Sequence, residues 1–156
     1  MPSNRSFKNQ STISIIRGYS NELESLLDGQ LTIPNNYSID GIIIDNAKKL
    51  TQKYDIAVVV SGKFNTVIDG NKIDRFNLDL TLLQKVAGID SLLSAIIAAF
   101  HAMEPDRFEA ARAAIEFYGN CVGPATCRAK GPGSLKAELI DKMYINASAI
   151  VEGEVP

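Results

Sequence analysis

Apolar positions in the first half of the chain form two short β-branched runs, each followed by a glycine. Thr12–Ile16 predicts a buried strand that ends in a turn at Arg17-Gly18. Ile56–Val60 is an uninterrupted apolar run, which is typical of a strand covered on both faces. Two central strands are therefore expected, and a turn follows each of them.

The apolar spacing elsewhere predicts a hairpin and five helices. Gly70-Asn71 separates two strand-like runs and is typical of a two-residue hairpin turn. Gly123-Pro124 is expected to end any helix that reaches it. The predicted hairpin strands are Thr66–Asp69 and Lys72–Phe76. The first predicted helix begins at Ser20, and the other four are predicted over 38–53, from Leu92 to His101, from Asp106 to about Tyr118, and from Ser134 to Met143.

The order of these elements indicates the fold class. Strands alternate with helices early and the chain ends in helices, which favours an α/β fold with a mainly parallel sheet flanked by helices. Only two strands look fully buried, too few for a self-sufficient parallel sheet. We therefore expect a polar lead-in over 1–11, a partial α/β domain over 12–145 that lacks its N-terminal part, and a tail over 146–156.

Composition excludes several classes of partner. The 156 residues carry a formal net charge of −2, so no basic excess indicates nucleic-acid binding. The single histidine, His101, does not favour a histidine-rich zinc site. The longest apolar run, Leu92–Phe100, is too short to cross a bilayer. Two cysteines without an N-terminal apolar segment indicate reduced thiols and a cytoplasmic protein.

Three short polar segments follow predicted strands or open a predicted helix, namely Arg17-Gly18, Ser61-Gly62 and Gly88–Ser91. Ligands in open α/β sheets bind beyond the carboxyl ends of the strands. A glycine directly before a helix offers free backbone N–H groups and the positive end of the helix dipole to an anion. The alternative at Gly88–Ser91 is an ordinary helix cap by Asp90 or Ser91.

Two charged side chains near the first strand suit a phosphate and its metal ion. Arg17 presents a planar fork that pairs with phosphate, although an exposed arginine on a turn is equally ordinary. Glu22 suits a magnesium-bound water, although a carboxylate in the first turn also complements the helix dipole. Neither a P-loop nor a Rossmann glycine motif occurs in the sequence.

Five segments, taken in order, resemble motifs of the hydroxyethylthiazole kinases, a ribokinase-like family. Each one alone is a weak signal, but five in the family's order are more specific. Residues 15–22 resemble the family's I-R-G-N-x-x-E motif, and residues 58–63 resemble V-V-x-T-G-E. Residues 69–70 match D-G, residues 85–95 resemble V-T-G-x-G-C-x-L-S-A, and residues 131–135 resemble G-P-G-S-F.

The resemblance implies a partial ribokinase-like layered fold and transfer of the ATP γ-phosphate to the alcohol of hydroxyethylthiazole with Mg²⁺, in thiamine salvage. It implies that Arg17 and Ser61 contact ATP and that Glu22 belongs to the metal shell. It places Gly88 in the loop beside the phosphate and the substrate hydroxyl, and Ser91 at the position of the family's catalytic cysteine. A homotrimer is the assembly that the family implies.

Several positions depart from the family. Asp90 replaces a glycine and sets a carboxylate beside the expected phosphate, which opposes anion binding. Tyr19 replaces an asparagine, and Lys63 replaces a glutamate. No counterpart of the family's first part precedes Ser11, so activity is expected to need a second chain or further copies. The alternatives are an inactive relative that binds nucleotide or protein and a sugar kinase with Asp90 as its general base.

Overall fold

The computed structural model describes residues 13–27, 39–78 and 81–152. Within these ranges four strands form one sheet in the order β1-β2-β3-β4, and five α-helices accompany them. The strands are β1 (Ile15–Tyr19), β2 (Ala57–Ser61), β3 (Asn65–Asp69) and β4 (Lys72–Phe76), and the helices are α1 (Ser20–Glu24), α2 (Ile39–Tyr54), α3 (Ile89–His101), α4 (Arg107–Arg128) and α5 (Pro132–Glu152).

The alternation of side chains along the strands divides the core into two layers. Val59 and Val67 point to the face that α3, α4 and α5 cover. Val58, Val60 and Ile68 point to the opposite face, where α1 and α2 pack. The sheet is thus covered on both faces, and the α/β class with helices around a sheet is confirmed.

The strand pairings differ from the expected mainly parallel sheet. Among the described strands, β1 pairs with β2 in parallel, whereas β2–β3 and β3–β4 are antiparallel. The reason is local, because a short turn at 62–64 and the hairpin at Gly70-Asn71 can only join antiparallel neighbours. Gly70 has a φ of +60°, as such a turn requires.

Strand β1 lies further along the chain than predicted. Arg17 and Gly18, expected to form a turn, pair within the sheet with Val59 and Val60. Helix α1 folds back over Gly18, where a Cβ atom would lie 3.1 Å from Glu22 Oε2 and 3.4 Å from Leu23 Cγ. The glycine therefore marks a close approach of helix to strand rather than a turn.

Helices α4 and α5 are longer than predicted. Helix α4 continues through Pro124 to Arg128, although Pro124 cannot donate a backbone hydrogen bond. Cys121, Val122 and Ala125 are buried around it, so core packing outweighs the lost hydrogen bond. Helix α5 passes Met143 and includes the predicted tail as far as Glu152.

Some predictions fall on residues outside the described ranges. These are the polar lead-in at 1–11 and the start of the first strand at Thr12. The division into 1–11, 12–145 and 146–156 stays a prediction. Within the described ranges, no helix combines the length and the apolar character needed to cross a membrane.

Candidate functional site at the carboxyl edge of the sheet

All four described strands have one end at the same edge of the sheet. Tyr19 at the end of β1 pairs with Ser61 at the end of β2, because the two strands are parallel. Strand β3 returns antiparallel and begins at this same edge with Asn65, which pairs with Phe76 at the end of β4. In α/β sheets this edge is where ligands gather.

Arg17 connects this edge to α3. Its Nη1 donates a hydrogen bond to Ser94 Oγ at 3.2 Å. The arginine also lines a small cavity, and Ile89, the first residue of α3, lines the same cavity. Arg17, expected to contact phosphate, is therefore held beside the N-terminus of a helix, where the helix dipole also favours an anion.

Gly88 forms the N-terminal cap of α3 with a φ of +84°. The predicted caps, Asp90 and Ser91, are instead inside the first turn of the helix. Ser91 is exposed. The first-turn backbone N–H groups of a helix have no partner within the helix, so this turn can donate to an anion.

Ser61 and Asn65 form a buried hydrogen-bonded pair across the β2–β3 turn. The exposed fractions are 5% for Ser61 and 1% for Asn65. Ser61 Oγ donates to Asn65 Oδ1 at 3.2 Å. Asn65 was not among the predicted site residues, and the signal that could have found it is its place at the start of the strand after Ser61-Gly62.

Glu22 closes the start of α1. Its Oε2 accepts a hydrogen bond from the backbone N–H of Tyr19 at 2.8 Å, and Tyr19 rather than Ser20 is the N-cap residue. The carboxylate thus lies in the first turn of α1, as the helix-dipole interpretation expects, and the contact with the Tyr19 N–H uses one of its two oxygens. No group of three or more acidic, histidine or cysteine side chains among the described residues is arranged to hold a metal.

A larger cavity of about 270 Å³ lies at the same edge. Ser61 and Tyr19 line it together with Lys63, Phe64 and Arg75. The Lys63 Nζ atom lies 5.5 Å and the Arg75 Cζ atom 5.0 Å from the centre of the Phe64 ring. Two cations on an aromatic ring make this part of the edge electropositive.

Sequence reasoning did not select Lys63, Phe64 or Arg75. The predicted hairpin contained the necessary signal for Arg75, because a turn at Gly70-Asn71 pairs Arg75 with Thr66 and so brings it to this edge. The Asp40 carboxylate, 3.6 Å from Arg75 Nη1, offsets part of the positive charge.

Comparison with known proteins shows the family of this chain. A family model described as the hydroxyethylthiazole kinase family matches residues 2–147. The chain belongs to the hydroxyethylthiazole kinase family. Two curated hydroxyethylthiazole kinases are similar to it. The one from Desulforudis audaxviator is 28% identical over 90% of this chain and 53% of its own length. The one from Zea mays is 31% identical over 84% of this chain and 49% of its own length.

Solved structures share the fold. A structure of hydroxyethylthiazole kinase protein from Pyrococcus horikoshii OT3 superposes with a TM-score of 0.73 at 23% identity, covering 84% of this chain and 48% of that one. A hypothetical protein from Streptococcus mutans gives a TM-score of 0.61 at 23% identity, covering 85% and 46%. The chain spans about half the length of the hydroxyethylthiazole kinases it matches.

Proposed function

We propose that this chain provides the nucleotide side of an ATP-dependent kinase that phosphorylates the alcohol of hydroxyethylthiazole in thiamine salvage. Its membership of the hydroxyethylthiazole kinase family supports the reaction class. The observation that carries the proposal is the hydrogen bond between Arg17 on β1 and Ser94 on α3, next to the first turn of α3. A guanidinium and a helix N-terminus together form a strong site for a phosphate group.

In this proposal Arg17 and Ser61 bind ATP. The Arg17 guanidinium pairs with phosphate oxygens. Its hydrogen bond to Ser94 already orders the side chain, so less conformational entropy is lost when ATP binds. Ser61 lines the larger cavity, which suits the remainder of the nucleotide beside the cations around Phe64. Phosphoryl transfer depends mainly on such positioning and charge stabilisation.

The first turn of α3 holds the γ-phosphate against the substrate hydroxyl. Gly88 gives the backbone its left-handed turn, so the following N–H groups point out of the helix end. Ser91 is an exposed hydroxyl in this turn and occupies the position of the family's cysteine. Asp90 in the same turn adds a negative charge that weakens anion binding or, alternatively, accepts the proton of the substrate alcohol.

Glu22 suits a magnesium ion that arrives with the nucleotide. Mg²⁺ is commonly held by one or two carboxylates, phosphate oxygens and waters, so a single carboxylate at the edge fits this use. The Tyr19 N–H donates to Oε2 and fixes the side chain, and in this proposal Oε1 accepts from a magnesium-bound water. The ion would supply positive charge that neutralises the β- and γ-phosphates.

We propose that the thiazole pocket belongs to the part of the family fold that this chain does not match. We propose that the active protein is cytoplasmic and that a homotrimer, or a second chain, completes the substrate site. The support is that the chain covers only 53% and 49% of two curated relatives.

Calorimetry of Mg²⁺–ATP with the purified chain, followed by hydroxyethylthiazole and an assay for ADP, tests this function. Arg17→Met keeps the apolar stem and removes the guanidinium, so the ATP dissociation constant should rise about tenfold or more. Arg112→Met is the control, because Arg112 pairs with Glu109 and Glu116 on the surface of α4.

An unchanged affinity in Arg17→Met would contradict the proposed phosphate site. ATP binding without ADP release from the chain alone would agree with a nucleotide side that needs a partner. A second protein that supplies the unmatched part of the family fold could then be added. If phosphoryl transfer to hydroxyethylthiazole were still absent, the chain would be an inactive relative that binds nucleotide.

A further inference from the structure

The side chain of Asn65 is buried, and only the oxygen of its amide has a hydrogen-bond partner among the described residues. Only 1% of the residue is exposed, and Oδ1 accepts the hydrogen bond from Ser61 Oγ. The Nδ2 atom is fully buried and has no hydrogen-bond partner among the described residues. A buried donor without an acceptor costs free energy, so native proteins rarely keep one without a partner such as water or a ligand.

Asn65 lines a small cavity of about 20 Å³. That volume holds about one water-sized group, such as a single oxygen atom of a larger ligand. Arg17, a cationic residue, is among the residues that line it. The cavity therefore favours an oxygen that carries negative charge over a neutral or cationic group.

The position of the cavity indicates where that oxygen comes from. Its lining includes Ile89 and Leu93 from the first two turns of α3. It also includes Arg17 on β1 and Asn65 on β3, with β2 between these two strands. A ligand atom here lies between the guanidinium and the N-terminus of α3, the same two groups that the proposed function assigns to phosphate.

We propose that Asn65 Nδ2 donates a hydrogen bond to a phosphate oxygen of the bound nucleotide, which makes Asn65 a direct phosphate contact. This inference rests on the proposed function for the identity of the ligand. Ser61 Oγ donates to Oδ1 and so fixes which end of the amide is left to donate, and Asn65 is one of the residues that line the cavity. With the opposite amide orientation, Oδ1 would face the cavity and repel a phosphate oxygen.

The experiment compares the wild-type chain with Asn65→Leu and Asn46→Leu. Asn46 is the matched control, because it is also a buried asparagine (4% exposed) but lies in the layer of α1 and α2, where its Nδ2 donates to Glu24 Oε1. Binding of Mg²⁺–ATP and of tripolyphosphate is measured by calorimetry, and thermal melting checks that each variant is folded.

Asn65→Leu should weaken tripolyphosphate and ATP roughly ten- to a hundredfold, and Asn46→Leu should change neither. If tripolyphosphate binds the wild-type chain and Asn65→Leu weakens it while ATP does not bind, the Asn65 contact is correct and the kinase proposal is wrong. Equal affinities in all three proteins, or no tripolyphosphate binding, would overturn the contact, since an ordered water would then suffice for Nδ2.

A measurement on the wild-type chain covers the case in which Asn65→Leu does not fold. In a ¹⁵N-labelled sample, tripolyphosphate should shift the side-chain amide protons of Asn65 and leave those of Asn46 in place. An Asn65 signal that does not move at saturating tripolyphosphate would contradict the proposal.

Discussion

Gly88 is the residue where backbone conformation and proposed chemistry coincide. Its φ of +84° lies in the left-handed region that side chains with a Cβ atom rarely adopt. An added Cβ would meet no atom within 4 Å, so space does not require the glycine. The backbone conformation alone requires it, and that conformation starts α3 at Ile89.

Gly88→Ala should lower the free energy of unfolding by about 1–2 kcal/mol through backbone strain. Gly133→Ala is the matched control, because Gly133 lies in the first turn of α5, has no positive φ and also has open space around its Cβ position. The control should be neutral or slightly more stable. Urea titrations of both variants measure the difference, and equal stabilities would show that Gly88 carries no strain.

Helix α4 is fastened to the sheet at the end opposite the candidate site. Arg107 donates to both carboxylate oxygens of Asp69, at 2.8 Å and 3.0 Å, and to Asp55 Oδ1 at 2.9 Å. Hydrogen bonding to Asp69 raises the pKa of Arg107. Asp55 stands in the turn between α2 and β2 with a φ of +54°. The guanidinium thus joins three elements, and a lysine could not replace its planar fork.

Asp106 caps the same helix, and this contact depends on pH. Its Oδ1 accepts from the N–H groups of Phe108 and Glu109, and its Oδ2 pairs with Lys72 Nζ at 3.2 Å. These hydrogen bonds, that of Glu109 first, lower the pKa of Asp106. A lowered pKa in the folded state stabilises the protein above the unfolded value of about 3.9, and this stability is lost as the pH falls through the folded value.

Asp106→Ala should therefore reduce the melting temperature by a few degrees at pH 7, and the difference from the wild-type chain should shrink below about pH 4. Asp106→Asn keeps a capping oxygen without the charge, so it should lose less stability than the alanine variant at pH 7. Melting curves between pH 2.5 and 7 provide the measurement. A difference that stays constant over this range would argue against the charged cap.

At the scale of the whole molecule, α5 exposes an apolar surface. Tyr144 is 75% exposed and Ile140 is 53% exposed, one turn apart on the helix. Ile145 and Ile150 on the same helix are also about half exposed. Apolar side chains that are neighbours on a helix surface favour contact with another protein surface.

The double variant Ile140→Glu, Tyr144→Glu should therefore shift the chain toward the monomer. Sedimentation or light scattering at several concentrations measures the change. Met103→Glu is the control, because Met103 is 77% exposed but lies alone in the turn after α3. If the wild-type chain is monomeric at all concentrations, the apolar surface of α5 does not drive association.

Much of the architecture follows from local sequence patterns. The buried run that predicted a strand at Ile56–Val60 lies in β2, the Gly70-Asn71 hairpin has its predicted strands within one residue, and the helix predicted over 38–53 is α2. These signals depend on the spacing of residues that are close in the sequence, so they can be recognised without the rest of the fold.

The errors arose where packing between distant residues outweighs local preference. A proline normally ends a helix, but the burial of Cys121 and Ala125 keeps α4 helical past Pro124. Gly18 reads locally as a turn, but pairing with Val60 and the approach of Leu23 put it in a strand.

The candidate site divides in the same way. The sequence alone determined the types of group available, an arginine, two hydroxyls and a glycine before a helix, and their family order, because these are properties of the chain itself. Only the tertiary structure decided that Arg17 reaches Ser94, 77 positions away, and that the amide of Asn65 is buried beside it. The physical reason is that strand register and the docking of α3 bring these groups together, and both depend on the whole core.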